Sequence, residues 1–189
     1  MKFTLHRLFG KGQDDTARTL YLAAVAQARA ESFYARLGVA DTVDGRFDMI
    51  AVHMFLLLTR LKDLGAEGPA VGQAMFDLMF ADMDRSLREM GVGDMSVGKQ
   101  VKRMVSAFYG RMAAYEGARN GGAAALEEAL VRNLYRGQPP GAREVTAMAR
   151  YMVDQIARLE AYDLDKLKTR PGPFGPPPDP DLPTHASDD

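Results

Sequence analysis

Cysteine is absent from the 189 residues of the sequence. Its absence excludes disulfides, thiolate zinc sites, iron–sulfur clusters and covalent haem attachment. The sequence also lacks a dominant sign of charge, because its formal net charge is -1 at pH 7, and we therefore expect no DNA partner. The 47% of hydrophobic residues is enough for one ordinary domain with a buried core.

Long apolar runs are missing as well. The longest run, Ile50 to Leu58, falls far short of the roughly 20 residues that a membrane-spanning helix needs. Residues 1–15 include basic and apolar side chains but no continuous apolar core, which is unlike a secretory signal. We therefore expect a protein that neither crosses a membrane nor is secreted.

No segment alternates between apolar and polar residues as a half-buried strand would, and the sequence therefore predicts an all-α fold. Apolar residues instead recur at three-to-four spacing, which predicts a single-domain bundle of about six helices over residues 14–168. The second helix is apolar on almost every side and should lie at the centre. The six predicted helices are 15–37, with one break, 44–64, 69–90, 97–115, 123–135 and 143–160.

Both ends of the chain differ in composition from this bundle. Residues 1–13 mix basic and apolar side chains and are expected to form a flexible arm. Residues 169–189 contain seven of the ten prolines and offer little to bury, which predicts a disordered, Pro-rich tail. Removal of this tail should then leave the fold intact.

The stretch GDMSVGKQ, Gly93 to Gln100, is one residue away from the phosphate-binding loop GxxxxGK followed by Ser or Thr. Gln100 replaces the hydroxyl that would hold Mg²⁺ and is a poor ligand for this ion. A phosphate loop also joins a buried strand to a helix, whereas the residues before Gly93 have a helical pattern. We interpret the glycines as a helix end and a helix start, which disfavours nucleotide hydrolysis.

Candidate metal-binding and catalytic residues do not form a set. Asp82 and Asp84 are two residues apart and point to different sides of a helix, and no Glu precedes a His at the spacing of di-iron bundles. His53 is the only histidine within a predicted helix, where a core position is favoured over a partner contact or an isolated haem ligand. We expect no catalytic residue, no metal and no cofactor.

Basic residues are grouped at the start of the fourth predicted helix. Lys99, Lys102 and Arg103 lie in its first two turns, where the helix dipole makes cations mildly unfavourable. Together with Arg111 they give residues 97–119 an excess of positive charge. The pattern fits either a solvated face or a docking patch for an anionic partner such as RNA, phospholipid or an acidic protein.

Methionine is concentrated in the same part of the chain. Seven of the twelve methionines lie between Met75 and Met112, including Met79 and Met83. Methionine is flexible and polarisable, so these residues fit either an irregular core or an adaptable groove for apolar helices.

Several longer stretches resemble the ubiquinol–cytochrome c chaperone family. They are VADTVDGRFDMIAVHMFLLLTRLKDLG, FADMDRSLREMGV, VGKQVKRMVSAFYGRMAAYE and REVTAMARYMVDQIARL, in this order between Tyr34 and Leu167. The more specific residues among them are Asp41, Thr42, Phe47, His53, Arg60, Lys62, Met90, Gly91, Val92, Lys99, Phe108 and Tyr109.

This resemblance implies an assembly factor for the cytochrome bc1 complex rather than an enzyme. Members hold newly made cytochrome b, in mitochondria with a small partner subunit beside the ribosomal tunnel exit. For this chain the resemblance implies cytochrome b as partner, then the ribosome and a small partner subunit. Because no targeting segment is recognised, we expect a cytoplasmic location, with the inner-membrane surface as a further partner. The residues that we expect at partner-binding surfaces are Lys99, Lys102, Arg103, Arg111, Met75, Met79, Met83, His53 and Tyr109.

Two other functional classes stay open at this point. A peripheral lipid-binding module would place apolar residues of the N-terminal stretch against lipid and its cations at the headgroups. The apolar residues are Phe3, Leu8 and Phe9, and the cations are Lys2, Arg7 and Lys11. A helical enzyme with a nucleotide or metal site would release phosphate or carry bound metal after purification.

Overall fold

The computed structural model describes residues 11–169 and 172–181. In these residues the chain forms eight helices and no strand, which confirms the predicted all-helical, single-domain bundle. The first predicted helix is α1 and α2, separated by the expected break, and the other five are α3 to α7. The helices are α1 (Lys11–Ala28), α2 (Glu31–Ala35), α3 (Val43–Lys62), α4 (Glu67–Glu89), α5 (Asp94–Arg119), α6 (Gly122–Asn133), α7 (Ala142–Glu160) and α8 (Leu164–Thr169).

Helix α3 is the central element, as its apolar sequence predicts. It packs against α1, α4, α5 and α7, and consecutive residues on all its sides are buried. Its first turn is capped by Thr42, whose hydroxyl accepts a hydrogen bond from the backbone N–H of Gly45 at 3.1 Å. Asp44, where the predicted helix begins, lies in the first turn of α3, where its negative charge is favourable for the helix dipole.

Helices α4 and α5 form an antiparallel hairpin with a short connection. Helix α4 ends in a left-handed residue, Gly91 with φ +80°, and the N–H of Val92 donates to the carbonyl oxygen of Leu87 at 3.0 Å. Gly93 precedes the first residue of α5. The stretch Gly93 to Gln100 is therefore the start of a helix that follows another helix, and it lacks the strand that a phosphate loop requires.

Residues 172–181 depart from the predicted disordered tail. This extended segment, called the strap below, lies against α1, α3 and α7. The N–H of Gly175 donates to Gln155 Oε1 at 2.7 Å, and the carbonyl oxygen of Gly175 accepts from Gln27 Nε2 at 2.8 Å. Farther along the strap, Arg36, the residue that follows α2, binds the carboxylates of Asp179 and Asp181.

The reason for this correction is a side chain that the proline content obscures. Phe174 is only 8% exposed because its ring packs against the bundle, so the strap has something to bury despite its polar and proline-rich composition. The predicted arm over residues 1–13 lies mostly outside the described residues, as do residues 182–189. Of the helices that the structure describes, none has the length and apolarity to span a bilayer.

Candidate functional site

A shallow apolar groove of about 240 Å³ lies between α3, α4 and α5. The side chains of Leu58, Phe76 and Met112 line it and are half-buried. Gly72 contributes to the groove because it has no side chain: a Cβ there would lie 3.0 Å from Leu58. The groove is therefore a surface feature set by the packing of three helices around a small residue.

Aromatic rings form one wall of this groove. Phe76 contacts Phe80 with ring centroids 4.7 Å apart, and it contacts Phe108 at 5.6 Å and Tyr109 at 5.5 Å. Phe108 is buried, whereas Tyr109 is 56% exposed. Neighbouring residues on a helix point about 100° apart, so only one of the two aromatic residues can face the core. The other becomes the most exposed ring of the groove.

Tyr109 is among the residues expected at a partner-binding surface from the sequence, whereas the groove residues Leu58, Phe76 and Met112 are not. Their spacing is that of ordinary core positions, and periodicity does not distinguish full from partial burial. The adjacent pair Phe108 and Tyr109 is the one sequence signal that points to an exposed aromatic residue on this helix.

The methionines predicted to line a groove lie mainly in the core. Met75 and Met79 are fully buried, and Met83 is half-buried against the core. They fill space inside the bundle, and only rearrangement of α4 would bring Met75 or Met79 to the surface. Met90 and Met95 behave differently: they flank the turn between α4 and α5 and are 52% and 98% exposed.

His53 also lies in the core, inside an aromatic cluster. Its Nδ1 is 2.9 Å from the carbonyl oxygen of Met49, which requires an Nδ1–H donor, so Nε2 accepts from the Tyr151 hydroxyl at 2.9 Å. The same hydroxyl accepts from Gln27 at 3.1 Å. Burial lowers the pKa of His53 to about 4. The neutral imidazole is thus a satisfied structural group.

The strap completes this cluster. The ring of Phe174 meets His53 edge-on with centroids 5.0 Å apart, and Phe33 contacts both His53 and Tyr151 at 5.5 and 5.4 Å. Arg158 adds a hydrogen bond from Nε to the carbonyl oxygen of Pro173 at 3.1 Å. With these contacts in place, no ring nitrogen of His53 is open to a partner or to haem iron.

Arg111 does not belong with the other basic residues. Its guanidinium is 2.6 Å from Asp48 Oδ1, and it lies over the ring of Phe47 at 5.6 Å from the centroid. Asp48 is fully buried and also binds Arg136 at 2.8 Å. Burial raises the pKa of Asp48, and the ion pairs with Arg136 and Arg111 oppose that rise. Arg111 therefore holds α5 to α3 from the inside.

Lys99, Lys102 and Arg103 are exposed on α5, as expected for a docking patch. None of the three forms an ion pair with an acidic residue in the described part of the chain. Successive helical turns align Lys99 and Lys102 with Met95, Ser106 and Tyr109, and all five are exposed. The basic residues and the aromatic wall of the groove consequently share one face of α5.

Known proteins resemble this chain over most of its length. Ubiquinol-cytochrome-c reductase complex assembly factor 1 of Xenopus laevis is 22% identical over 151 residues, which cover 80% of this chain and 76% of the relative. The human and mouse proteins of that name are 24% and 23% identical over 151 residues and 80% of this chain. The chain spans about half of each, 50% of the human and 51% of the mouse protein.

A solved structure and a family model agree with these relatives. The crystal structure of the Cbp3 homolog from Brucella abortus has a similar fold, with a TM-score of 0.73 and 34% sequence identity. The similarity covers 84% of this chain and 87% of that one. Residues 35–171, well over half of the chain, match the family model described as ubiquinol-cytochrome C chaperone. The chain thus belongs to the ubiquinol-cytochrome C chaperone family.

Proposed function

We propose that this protein is a non-catalytic assembly chaperone that binds newly made cytochrome b while the ubiquinol–cytochrome c reductase complex is assembled. Membership of the family and the names of the assembly-factor relatives support the general role. The chemistry of the client supports the finer one. Cytochrome b consists of apolar membrane helices, and such helices need an apolar, uncharged surface as long as their final partners are missing.

The groove between α3, α4 and α5 is the part of the described surface that fits this client. An amphipathic or apolar helix can place side chains from successive turns into a hydrophobic groove, and the aromatic wall would pack against them. Lys62 and Gln73 lie at the edges of the groove, where their polar groups face water. An apolar floor with polar edges is the usual composition of a reversible interface.

The exposure of Tyr109 is the observation that carries the proposal. Its ring rests on Phe76, and its hydroxyl has no hydrogen-bond partner among the described residues. Tyrosine is a frequent anchor of protein interfaces because it buries a large rigid ring at low entropic cost. A docked helix would cover this ring and leave the phenol group at the edge of the contact.

The test is recovery of newly made cytochrome b with the tagged protein from translating cells. Tyr109→Glu should lower this recovery by about tenfold or more, because a carboxylate would be desolvated in the apolar contact. Val153→Glu on α7 is the matched control, since Val153 is another exposed apolar residue, at 48%, distant in the sequence from the groove. Equal recovery with both variants would contradict the groove as the binding site.

Two other partners implied by the resemblance, the ribosome and a small partner subunit, stay predictions. The same purification tests them without further variants. Ribosomal proteins recovered only from actively translating cells would support the first, and a stoichiometric small protein would support the second. Recovery of cytochrome b alone would favour a chaperone that acts after synthesis of its client.

A further inference from the structure

The turn of the α4–α5 hairpin presents apolar and basic side chains side by side. Met95 is 98% exposed and Met90 is 52% exposed, although both are large apolar residues. Lys99 and Lys102 follow Met95 on the same side of α5, one and two turns away. Single exposed apolar residues are common, but an almost fully exposed methionine next to cations without acidic partners among the described residues is a rarer combination.

The charge on this face of α5 is not neutralised by any of the residues that the structure describes. No acidic residue occurs between Asp94 and Glu116, and Asp94 itself is bound by Arg88. The ammonium groups of Lys99 and Lys102 have no acidic partner in the described residues. The face can therefore offer its positive charge to an external anion.

We propose that this hairpin end, formed by Met90, Met95, Lys99, Lys102 and Arg103, seats the protein on the surface of an anionic lipid bilayer. The methionine side chains would enter the interface between headgroups and acyl chains, and the three cations would bind headgroup phosphates. The proposal does not depend on the groove or on the identity of its client.

The distances along α5 fit this arrangement. A rise of about 1.5 Å per residue places Lys99 and Lys102 about 6 and 10 Å from Met95 along the helix axis. An interfacial segment buries its apolar groups by about 5–10 Å, so the ammonium groups would lie at headgroup level when Met95 is inserted. Tyr109 would then lie about 21 Å from Met95, which leaves the groove free above the surface.

A lipid surface fits the hairpin end better than RNA does. RNA-binding faces pair cations with aromatic rings that stack on bases, whereas the exposed apolar residue next to Lys99 is the thioether Met95. The exposed ring of Tyr109 lies about 15 Å from Lys99 along the helix axis. An almost fully exposed methionine such as Met95 adds nothing to a phosphate contact. It does gain from transfer out of water at an interface, and lysine side chains reach the headgroups along the same boundary.

The first experiment is flotation of the full chain with vesicles of phosphatidylcholine and phosphatidylglycerol, compared with vesicles of phosphatidylcholine alone. Binding should require the anionic lipid and should weaken as salt rises. The triple variant Lys99→Glu, Lys102→Glu, Arg103→Glu should lose about a hundredfold or more in partitioning, since each cation contributes about fivefold near such a surface. Met95→Ser should cost up to about tenfold with no change in the salt dependence.

A matched control distinguishes binding through the hairpin end from a general attraction between the positive charges of the protein and the anionic vesicle. Arg18, Arg143 and Arg150 are also exposed and have no acidic partner in the described residues, so their triple replacement by Glu changes the net charge equally. This control should keep much more vesicle binding than the hairpin variant. Equal losses in both triple variants would overturn the proposal, as would retained binding in the hairpin variant.

The position of the turn can be measured directly because the chain has no cysteine. Met95→Cys and Val153→Cys can each be labelled at a single site with an environment-sensitive fluorophore. A blue shift on anionic vesicles is expected for the label at position 95 and none for that at position 153. A triple hairpin variant that binds vesicles normally but loses RNA binding would overturn the lipid assignment in favour of RNA.

Discussion

Two sides of the bundle differ in whether their side chains find hydrogen-bond, ion-pair and packing partners inside the protein. Around His53, the polar groups of Gln27, Tyr151 and Gln155 all find partners, and the strap closes the cluster with Phe174. On the face of α5, Lys99 and Lys102 lack acidic partners within residues 11–169 and 172–181, and large apolar side chains are exposed. The side around His53, called the closed side below, contributes to the stability of the fold. The exposed face of α5, called the open side, is where binding surfaces should be sought.

Helix α5 contains this contrast within itself. Arg111 is 11% exposed and enclosed by Asp48 and Phe47, whereas Lys102 projects into solvent two and a half turns earlier. A count of charges in the sequence assigns both cations to one patch. In the structure Arg111 lies in a buried ion pair and Lys102 lies on the exposed face. Substitutions can measure the resulting difference in stability.

The largest effect is expected for Arg111→Ala. Removal of the guanidinium leaves the fully buried Asp48 with one of its two cationic partners, and loss of a buried partner typically costs about 4 kcal/mol of unfolding free energy. Lys102→Ala should change the free energy of unfolding by less than about 0.5 kcal/mol. Chemical denaturation of the two variants measures both values, and a similar result for both would remove the distinction between the two cations.

Phe174→Ala should lower the free energy of unfolding by between about 3 and 4 kcal/mol. The ring is almost completely buried against His53, and its loss leaves a cavity beneath the strap. This expectation reverses the one drawn from composition, by which the whole tail could be removed without effect. Pro176→Ala is the control because Pro176 is exposed. Unchanged melting of Phe174→Ala would show that the strap does not contribute to the closed side.

Acidification should lower the free energy of unfolding by up to about 3 kcal/mol, because it protonates the histidine of the closed side. The pKa of His53 is about 4 in the folded protein and about 6.5 in an unfolded chain. Between these values the unfolded state binds more protons, so this contribution is fully present above pH 6.5 and is lost as pH falls towards 4. The difference between the wild-type and His53→Gln stability profiles over this interval isolates the histidine. Parallel profiles would contradict a buried neutral imidazole.

The smallest effect, and one of opposite sign, is expected for Tyr115→Phe. The Tyr115 ring is fully buried against Phe55, but its hydroxyl has no hydrogen-bond partner in the described part of the chain. Removal of a buried, unsatisfied hydroxyl should raise the free energy of unfolding by about 1 kcal/mol. Tyr135→Phe is the control, because its hydroxyl donates to the carbonyl oxygen of Leu37 and its loss should destabilise. A destabilised Tyr115→Phe variant would indicate a partner for that hydroxyl.

Helix positions and the central place of α3 could be predicted from the sequence because both follow from local spacing of apolar residues. The burial of Arg111 could not, because its partner Asp48 is 63 positions away and a charge pattern carries no distance information. Met75 and Met79 illustrate the same limit. A core position and a groove position have the same helical spacing, and only the packing of neighbouring helices decides between them.

The strap was missed for a different reason. Its conformation has no period, and its prolines are typical of segments that remain unfolded. Its place depends on a recess formed by α1, α3 and α7, which exists only after these helices have packed. Sequence reasoning from composition has no access to such a recess, although the single aromatic residue among the prolines was a signal that could have been followed.

The position of Phe174 in the chain also sets an order of events during synthesis. The cluster that this residue seals is built from Phe33, His53 and Tyr151, so its other members emerge from the ribosome earlier. Until residue 175 has been added, the recess around His53 stays open and Gln27 and Gln155 lack their strap contacts. The last described segment to be translated therefore closes a cluster whose other residues were made far earlier. A chain that stops before residue 174 would expose an aromatic recess, which is the kind of apolar surface that makes incompletely folded proteins prone to aggregate.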